Sequence, residues 1–217
     1  MRKVKFFLTL VLLAMTAGCA DYEWEKPIVA EYDLEKENDK KVLIFVDQPN
    51  WLNAEDNLQY YITRAFSYQL INNVGFKPKS IIPYAELSDY RSKLKDASLY
   101  SPLDIAKGLK ADLLIIVKVD GYNLYDMDNT GYYKGYLAGQ VLLVDVETKE
   151  KLWPNNAESK NLKVAVDAEA GGREAAVRKL TGAFGHCSVR YLYDCLKKNF
   201  SIAEDRTSLR WEDEQSK

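Results

Sequence analysis

The sequence predicts a single α/β (α+β) domain, a mixed β-sheet with helices packed on it. Three observations carry this. Asp112-Leu-Leu-Ile-Ile-Val-Lys-Val-Asp120 sets five apolar residues in a row, which reads as a strand covered on both faces. Leu58, Ile62, Phe66, Leu70 and Val74 recur every four residues, the spacing of one helix face. The predicted elements follow the order β-α-α-α-β-β-β-α, which gives a mixed sheet with helices packed on it.

Each element has its own warrant. Lys41-Val-Leu-Ile-Phe-Val-Asp47 is a β-branched apolar run, read as a buried strand. Residues 53–74 form the long helix, with Asn53 as N-cap and Gly75 at the position where helices commonly stop. Residues 83–95 read as a shorter helix. Ser101-Pro102 opens a third helix running to Leu109, with Ser as cap and Pro at the first helical position. Residues 132–146 form a long strand in which Gly135 and Gly139 mark bends or bulges. Glu147-Thr-Lys-Glu150 turns the chain into Lys151-Leu-Trp153, and residues 161–167 form the next strand. Gly171-Gly172 precede a last helix over residues 173–199. The domain therefore spans residues 41–200, and residues 201–217 read as a polar tail.

The N-terminus carries an address. Arg2, Lys3 and Lys5 precede an apolar run over residues 6–15. As a helix that run rises about 15 Å, half of the roughly 30 Å hydrocarbon core, so it reads as a signal peptide over residues 1–18 and not as a membrane span. Thr16-Ala-Gly-Cys19 follows and resembles the lipobox of bacterial lipoproteins, with Thr16 where that family usually has Leu. The resemblance implies that Cys19 becomes the lipid-bearing mature N-terminus. It also implies, through Ala20, delivery to an outer membrane facing the periplasm. An ordinary signal peptide cut nearby is the alternative.

Residues 20–40 hold eight Asp/Glu and three Lys, whereas residues 41–217 balance at 24 of each sign. The negative excess of the mature chain thus sits in residues 19–40, which read as a lipidated cysteine and an extended, self-repelling tether. The rival reading docks Tyr22, Trp24, Ile28 and Val29 on the domain as an added strand, with Pro27 interrupting the run. A formal net charge of −2 and a pI near 5.6 lack the basic footprint of a nucleic-acid binder.

Two segments carry a family resemblance. Asp104-Ile-Ala-Lys-Gly-Leu-Lys-Ala-Asp-Leu-Leu-Ile-Ile-Val-Lys118 resembles the Gly-bearing helix, Ala-Asp and hydrophobic strand of envelope lipoproteins related to the TolB N-terminal domain, CsgG and LpoB. Leu143-Val-Asp-Val-Glu-Thr-Lys-Glu-Lys-Leu-Trp153 resembles their hairpin, with Lys149 in place of the turn Gly. The chain is similar above all to planctomycete-like lipoproteins of that group. The resemblance implies a TolB N-terminal/CsgG-like fold and an accessory role in the envelope. It carries no catalytic signature.

The sequence offers little for catalysis. His186-Cys187 invites a thiol-nucleophile reading, but helical geometry sets Leu180, Phe184, Cys187, Tyr191 and Cys195 on one stripe with His186 opposite. Cysteines eight residues apart on one helix lie about 12 Å apart, beyond the roughly 7 Å a disulfide tolerates. One histidine and two core cysteines make no zinc site. Gly171-Gly172 could present amides to an anion or simply start a helix. No cofactor and no metal is expected.

The unusual stretch runs over residues 121–136, with Tyr122, Tyr125, Tyr132, Tyr133 and Tyr136 around a polar loop. Tyrosines suit a partner-binding surface, and equally suit cross-strand pairing in a sheet. Asp126 and Asp128 hint at a cation, although Asp-Met-Asp-Asn-Thr lacks the rest of a calcium loop. The expected function is that of a lipid-anchored, non-enzymatic periplasmic accessory protein. Such a protein would serve a secretion, transport or wall-synthesis assembly, with the membrane and an envelope protein as partners. A CsgG-like oligomeric pore is the first rival and an unrecognised hydrolase the second. The pore needs long strands alternating apolar-out and polar-in.

Overall fold

The computed structural model describes residues 28–49, 52, 57–196 and 209–212. The strands are β1 (Val42–Asp47), β2 (Leu113–Asp126), β3 (Tyr133–Asp145), β4 (Lys151–Trp153), β5 (Lys160–Glu169) and β6 (Leu209–Glu212). The helices are α1 (Leu58–Gln69), α2 (Tyr84–Lys93), α3 (Pro102–Gly108) and α4 (Arg173–Val189). The sheet order is β1-β2-β3-β5-β6, with β4 on the free end of β3. Only β1 and β2 run parallel, joined by the crossover through α1, α2 and α3. This is the expected single domain with a mixed sheet and helices packed on it.

The two faces of the sheet are unequally covered. On one, α1 and α4 close a large core against Leu113, Ile115, Val117, Leu137, Val141, Leu143, Leu162 and Val164. Gly185 of α4 sits so close to Ala65 of α1 that an added Cβ would fall 3.1 Å from the Ala65 Cβ. On the other face, a smaller core gathers Leu43, Phe45, Leu87, Ile105, Leu114 and Val144 under α2 and α3. The five-residue apolar run of β2 therefore serves two cores, as its lack of alternation predicted.

The local signals in the sequence map onto specific bonds. Gly75, at φ 86°, closes the turn Leu70–Val74 that continues α1, and the Phe76 amide donates to the Leu70 carbonyl at 3.0 Å. The expected cap Asn53 lies outside the described residues. Ser101 and Asp104 form a reciprocal capping box on α3, with Pro102 in its first turn. The family-like residues have structural roles. Gly108 leaves room for the Tyr90 ring, the Asp112 carboxylate accepts from the Lys41 amide at 2.7 Å, and Trp153 is fully buried. Asp145 accepts from the Glu147 and Thr148 amides, and Lys149 takes the left-handed conformation, φ 62°, that the missing Gly would adopt.

Three expectations are corrected. The last helix stops at Val189 instead of Asn199, so Cys195 lies beyond it and the helical-distance argument does not apply to the cysteine pair; both are buried thiols outside any disulfide. The tail expected over residues 201–217 contributes β6, which pairs antiparallel with β5. Of the tether expected over residues 19–40, the described part from Ile28 onward is docked on the domain. Ile28 bridges Cys195 with bonds of 2.7 and 3.0 Å, the Glu31 and Leu34 amides donate to the Tyr191 and Leu192 carbonyls, and Leu34 is wholly buried. An acidic composition concealed this docking, because a few scattered residues, Ile28, Glu31 and Leu34 among them, make the contacts. Tyr22 and Trp24 lie outside the described residues.

Candidate functional site

Beyond Ile116 and Leu142, no described helix covers the second face of the sheet. That open face is built from the outer halves of β2, β3 and β5. Alternation sets its membership: along β3, Gly135, Leu137, Gly139 and Val141 point into the large core while Lys134 and Tyr136 are exposed. Along β5, Leu162, Val164 and Val166 are buried while Asn161 and Lys163 are exposed. On β2 a bulge between Val119 and Gly121 interrupts the register with β3.

The five tyrosines divide on this geometry. Tyr122 and Tyr133 pack against the large core. Tyr125, Tyr132 and Tyr136 are exposed by 48%, 50% and 36%, so these three can meet a partner and the first two cannot without leaving the core. The Tyr136 ring lies over Gly121, and the Lys163 ammonium sits 5.4 Å from its centre. Of the single docking cluster expected from sequence, two tyrosines are therefore packing and three are surface. Cys19 lies outside the described residues.

The loop joining β2 to β3 is a tight hairpin turn. Asp128 and Asn129 both have positive φ, 54° and 58°, and the Thr130 amide donates to the Met127 carbonyl at 3.0 Å, as in a type I′ turn. Asp126 accepts from the Gly131 amide at 3.0 Å, so its carboxylate closes the turn. No group of three or more His, Cys, Asp or Glu suited to a metal ion occurs among the described residues.

The other sequence candidates are structural. Cys187 is buried on α4 and His186 is half-buried beside it. Burial and the Cys195 thiol push the Tyr193 hydroxyl well above the ordinary tyrosine range. Gly171 and Gly172 have φ of 107° and 86° and lead into α4, where the Ala176 amide donates to the Gly172 carbonyl. A polar cleft of about 640 Å³ lies at the carboxyl end of β1, between Asp47, Gln59, Tyr84 and Arg91; no sequence signal marked it.

Sequence reasoning also missed the group around Glu31. One carboxylate oxygen accepts from the Trp153 indole at 2.7 Å and the other meets the Lys160 ammonium at 3.2 Å. Lys160 is 3% exposed, and its ammonium lies 3.8 Å from the centre of the Tyr191 ring. A lysine at a strand start gives no sequence signal for burial.

No family model and no curated protein matches the sequence. Among solved structures the chain is similar to lipoprotein GNA1162 from Neisseria meningitidis, at 14% identity and TM-score 0.41, over 67% of this chain and 94% of that one. It is also similar to the LpoB C-terminal domain from Salmonella enterica, at 19% identity and TM-score 0.34, over 64% and 85%. A third is the PelC dodecamer from Paraburkholderia phytofirmans, at 8% identity and TM-score 0.38, over 77% and 94%. At these scores the likeness does not extend to function. No described helix is long and apolar enough to cross a membrane.

Proposed function

We propose that this chain is a lipid-anchored, non-enzymatic accessory protein of the cell envelope. It docks a protein partner on the open face of its sheet. The anchor is Cys19, in an outer membrane facing the periplasm, as the lipobox-like leader and Ala20 suggest. The observation that supports docking is the exposure of Tyr125, Tyr132 and Tyr136 on or beside strands held rigid by a core on their other face. Rigid tyrosines bury apolar area at low entropic cost and keep a hydroxyl for hydrogen bonding.

The geometry weighs against the pore reading. β2 and β3 form a hairpin of 14- and 13-residue strands, long enough to span a bilayer. Their apolar face is filled by α1 and α4, and their other face carries Lys118, Asp120, Asn123 and Lys134, which lipid would not accept.

Two measurements test the proposal. Cys19→Ser should move the protein from the membrane to the soluble periplasmic fraction and abolish the acyl mass. A wild type without acyl mass would overturn the anchor. Replacing Tyr125, Tyr132 and Tyr136 by Ala should leave melting nearly unchanged and lower partner capture at least about tenfold, since interface aromatics commonly contribute about 2 kcal/mol each. Unchanged capture per folded molecule would overturn the docking face.

A further inference from the structure

The open sheet face has a charge of its own, and we infer that its occupant is an acidic segment of a partner protein. The inference rests on the docking reading above and adds the chemistry of the partner. The face presents Lys118 on β2, Lys134 on β3 and Lys163 on β5, all exposed, against two exposed acids, Asp120 on β2 and Asp47 on β1, which is in register with Lys118. None of the three lysines is in a salt bridge among the described residues. Among the described side chains, three lysines against two acids leave the face net positive on a chain whose formal charge is −2, and the lysines nearest the tyrosines, Lys134 and Lys163, have no acid in register with them on β1, β2, β3 or β5.

Register places these charges around the tyrosines. Tyr125 pairs with Lys134 across β2 and β3, and Lys163 pairs with Ala138, two residues from Tyr136. Tyr125 and Tyr136 therefore each have a lysine beside them. A segment bearing carboxylates and one or two apolar side chains would meet both needs at once, setting its acids on the lysines and its apolar groups on the rings.

The dimensions favour a segment over a broad domain surface. From Lys134 to Gln140 is about 20 Å of strand, and crossing β2, β3 and β5 adds about 10 Å. That patch is well below the roughly 800 Å² per partner of a standard interface, and it matches six or so residues of extended chain. Nucleic acid would also seek lysine and tyrosine, but nucleic-acid domains are basic as a whole, with pI above about 9, against about 5.6 here.

The test uses the full acylated chain in cells. A photocrosslinking residue replaces Tyr125 in one variant and Tyr136 in another, and the captured peptide is sequenced by mass spectrometry. The expected result is one protein captured from both positions, through a peptide in which Asp and Glu outnumber Lys and Arg. Lys118→Glu, Lys134→Glu and Lys163→Glu together should lower the yield about tenfold or more, and changing the partner's acids to Lys should restore it. Should that triple variant fail to fold, Lys134→Gln replaces it, and the purified pair should lose affinity about tenfold as salt rises from roughly 0.05 to 0.5 M.

A neutral or basic peptide, a glycan, a nucleic acid or a second copy of this chain at the crosslink would overturn the inference. So would a yield indifferent to the lysines. No capture at either position, with the chain still on the membrane, would overturn the docking reading itself.

Discussion

Removing the Glu31 side chain should destabilise the domain more than an acidic, tether-like segment would suggest. Glu31→Ala leaves the indole N–H of fully buried Trp153 without its acceptor, which costs about 1–3 kcal/mol. It also removes the carboxylate facing the Lys160 ammonium. Breaking a fully buried pair costs about 3–5 kcal/mol. The Glu31 side chain is 41% exposed, however, so water screens the pair and about 1 kcal/mol is the fairer figure. The ring of Tyr191, 3.8 Å from the ammonium, persists in the variant and holds part of the charge. The total is about 3 kcal/mol, and the melting temperature should fall by about 6–12 °C in a domain of this size. Glu31→Gln keeps an acceptor for Trp153 and should lose about a third of that. Adding Lys160→Met to Glu31→Ala should cost less than the two single changes summed, because the stranded ammonium is gone. Thermal denaturation followed by circular dichroism reads the wild type and the four variants. A Glu31→Ala variant melting within about 1 °C of wild type would refute the reasoning, as would a chain begun at Lys41 that melts like one begun at Ile28.

Three further outcomes are expected. Lys149→Gly should raise the melting temperature by about 2 °C, because Lys149 holds a φ of 62° in the 145–150 turn that Gly adopts without strain. Asp145 is held below the ordinary carboxylate range, chiefly by the Thr148 amide and then by the Thr148 hydroxyl and the Glu147 amide. Its folded form is the stronger acid, so its contribution is full above the unfolded value near 3.9 and is lost as pH falls through the lower folded value. Asp145→Asn should flatten the decline of melting temperature below about pH 4. Tyr122→Ala should lower the melting temperature by several degrees while Tyr136→Ala leaves it nearly unchanged, because only Tyr122 packs on the core.

The fold was legible where one short stretch carries both an element and its end. Ser101-Pro102 with Asp104, the Gly75 stop and the apolar run of β2 needed no distant partner to be read. What the sequence concealed were contacts made at long range. The segment over residues 28–40 is too acidic to read as docked, yet Glu31 lies more than a hundred residues from both Trp153 and Lys160, which receive it. The end of α4 was hidden for a related reason. Leu192 and Cys195 continue to be buried after Val189, against the docked N-terminal segment rather than on a helix face, so an apolar spacing outlives the helix.

The tyrosines were ambiguous for a different cause. On β2 the residues facing the large core are 113, 115, 117 and 119, and after the bulge they are 122 and 124. The bulge between Val119 and Gly121 changes the parity of the strand. Counted without it, odd numbers stay inward, Tyr125 is buried and Tyr122 reaches solvent, the reverse of the arrangement found. One inserted residue thus decides which aromatic rings the core keeps and which the open face presents. It also brings Tyr125 opposite Lys134 on the outer face, where the proposed partner would meet both. A regular ladder through this stretch, with every residue kept, would return Tyr122 to the outer face and Tyr125 to the core, so the bulge and the proposed docking surface stand or fall together.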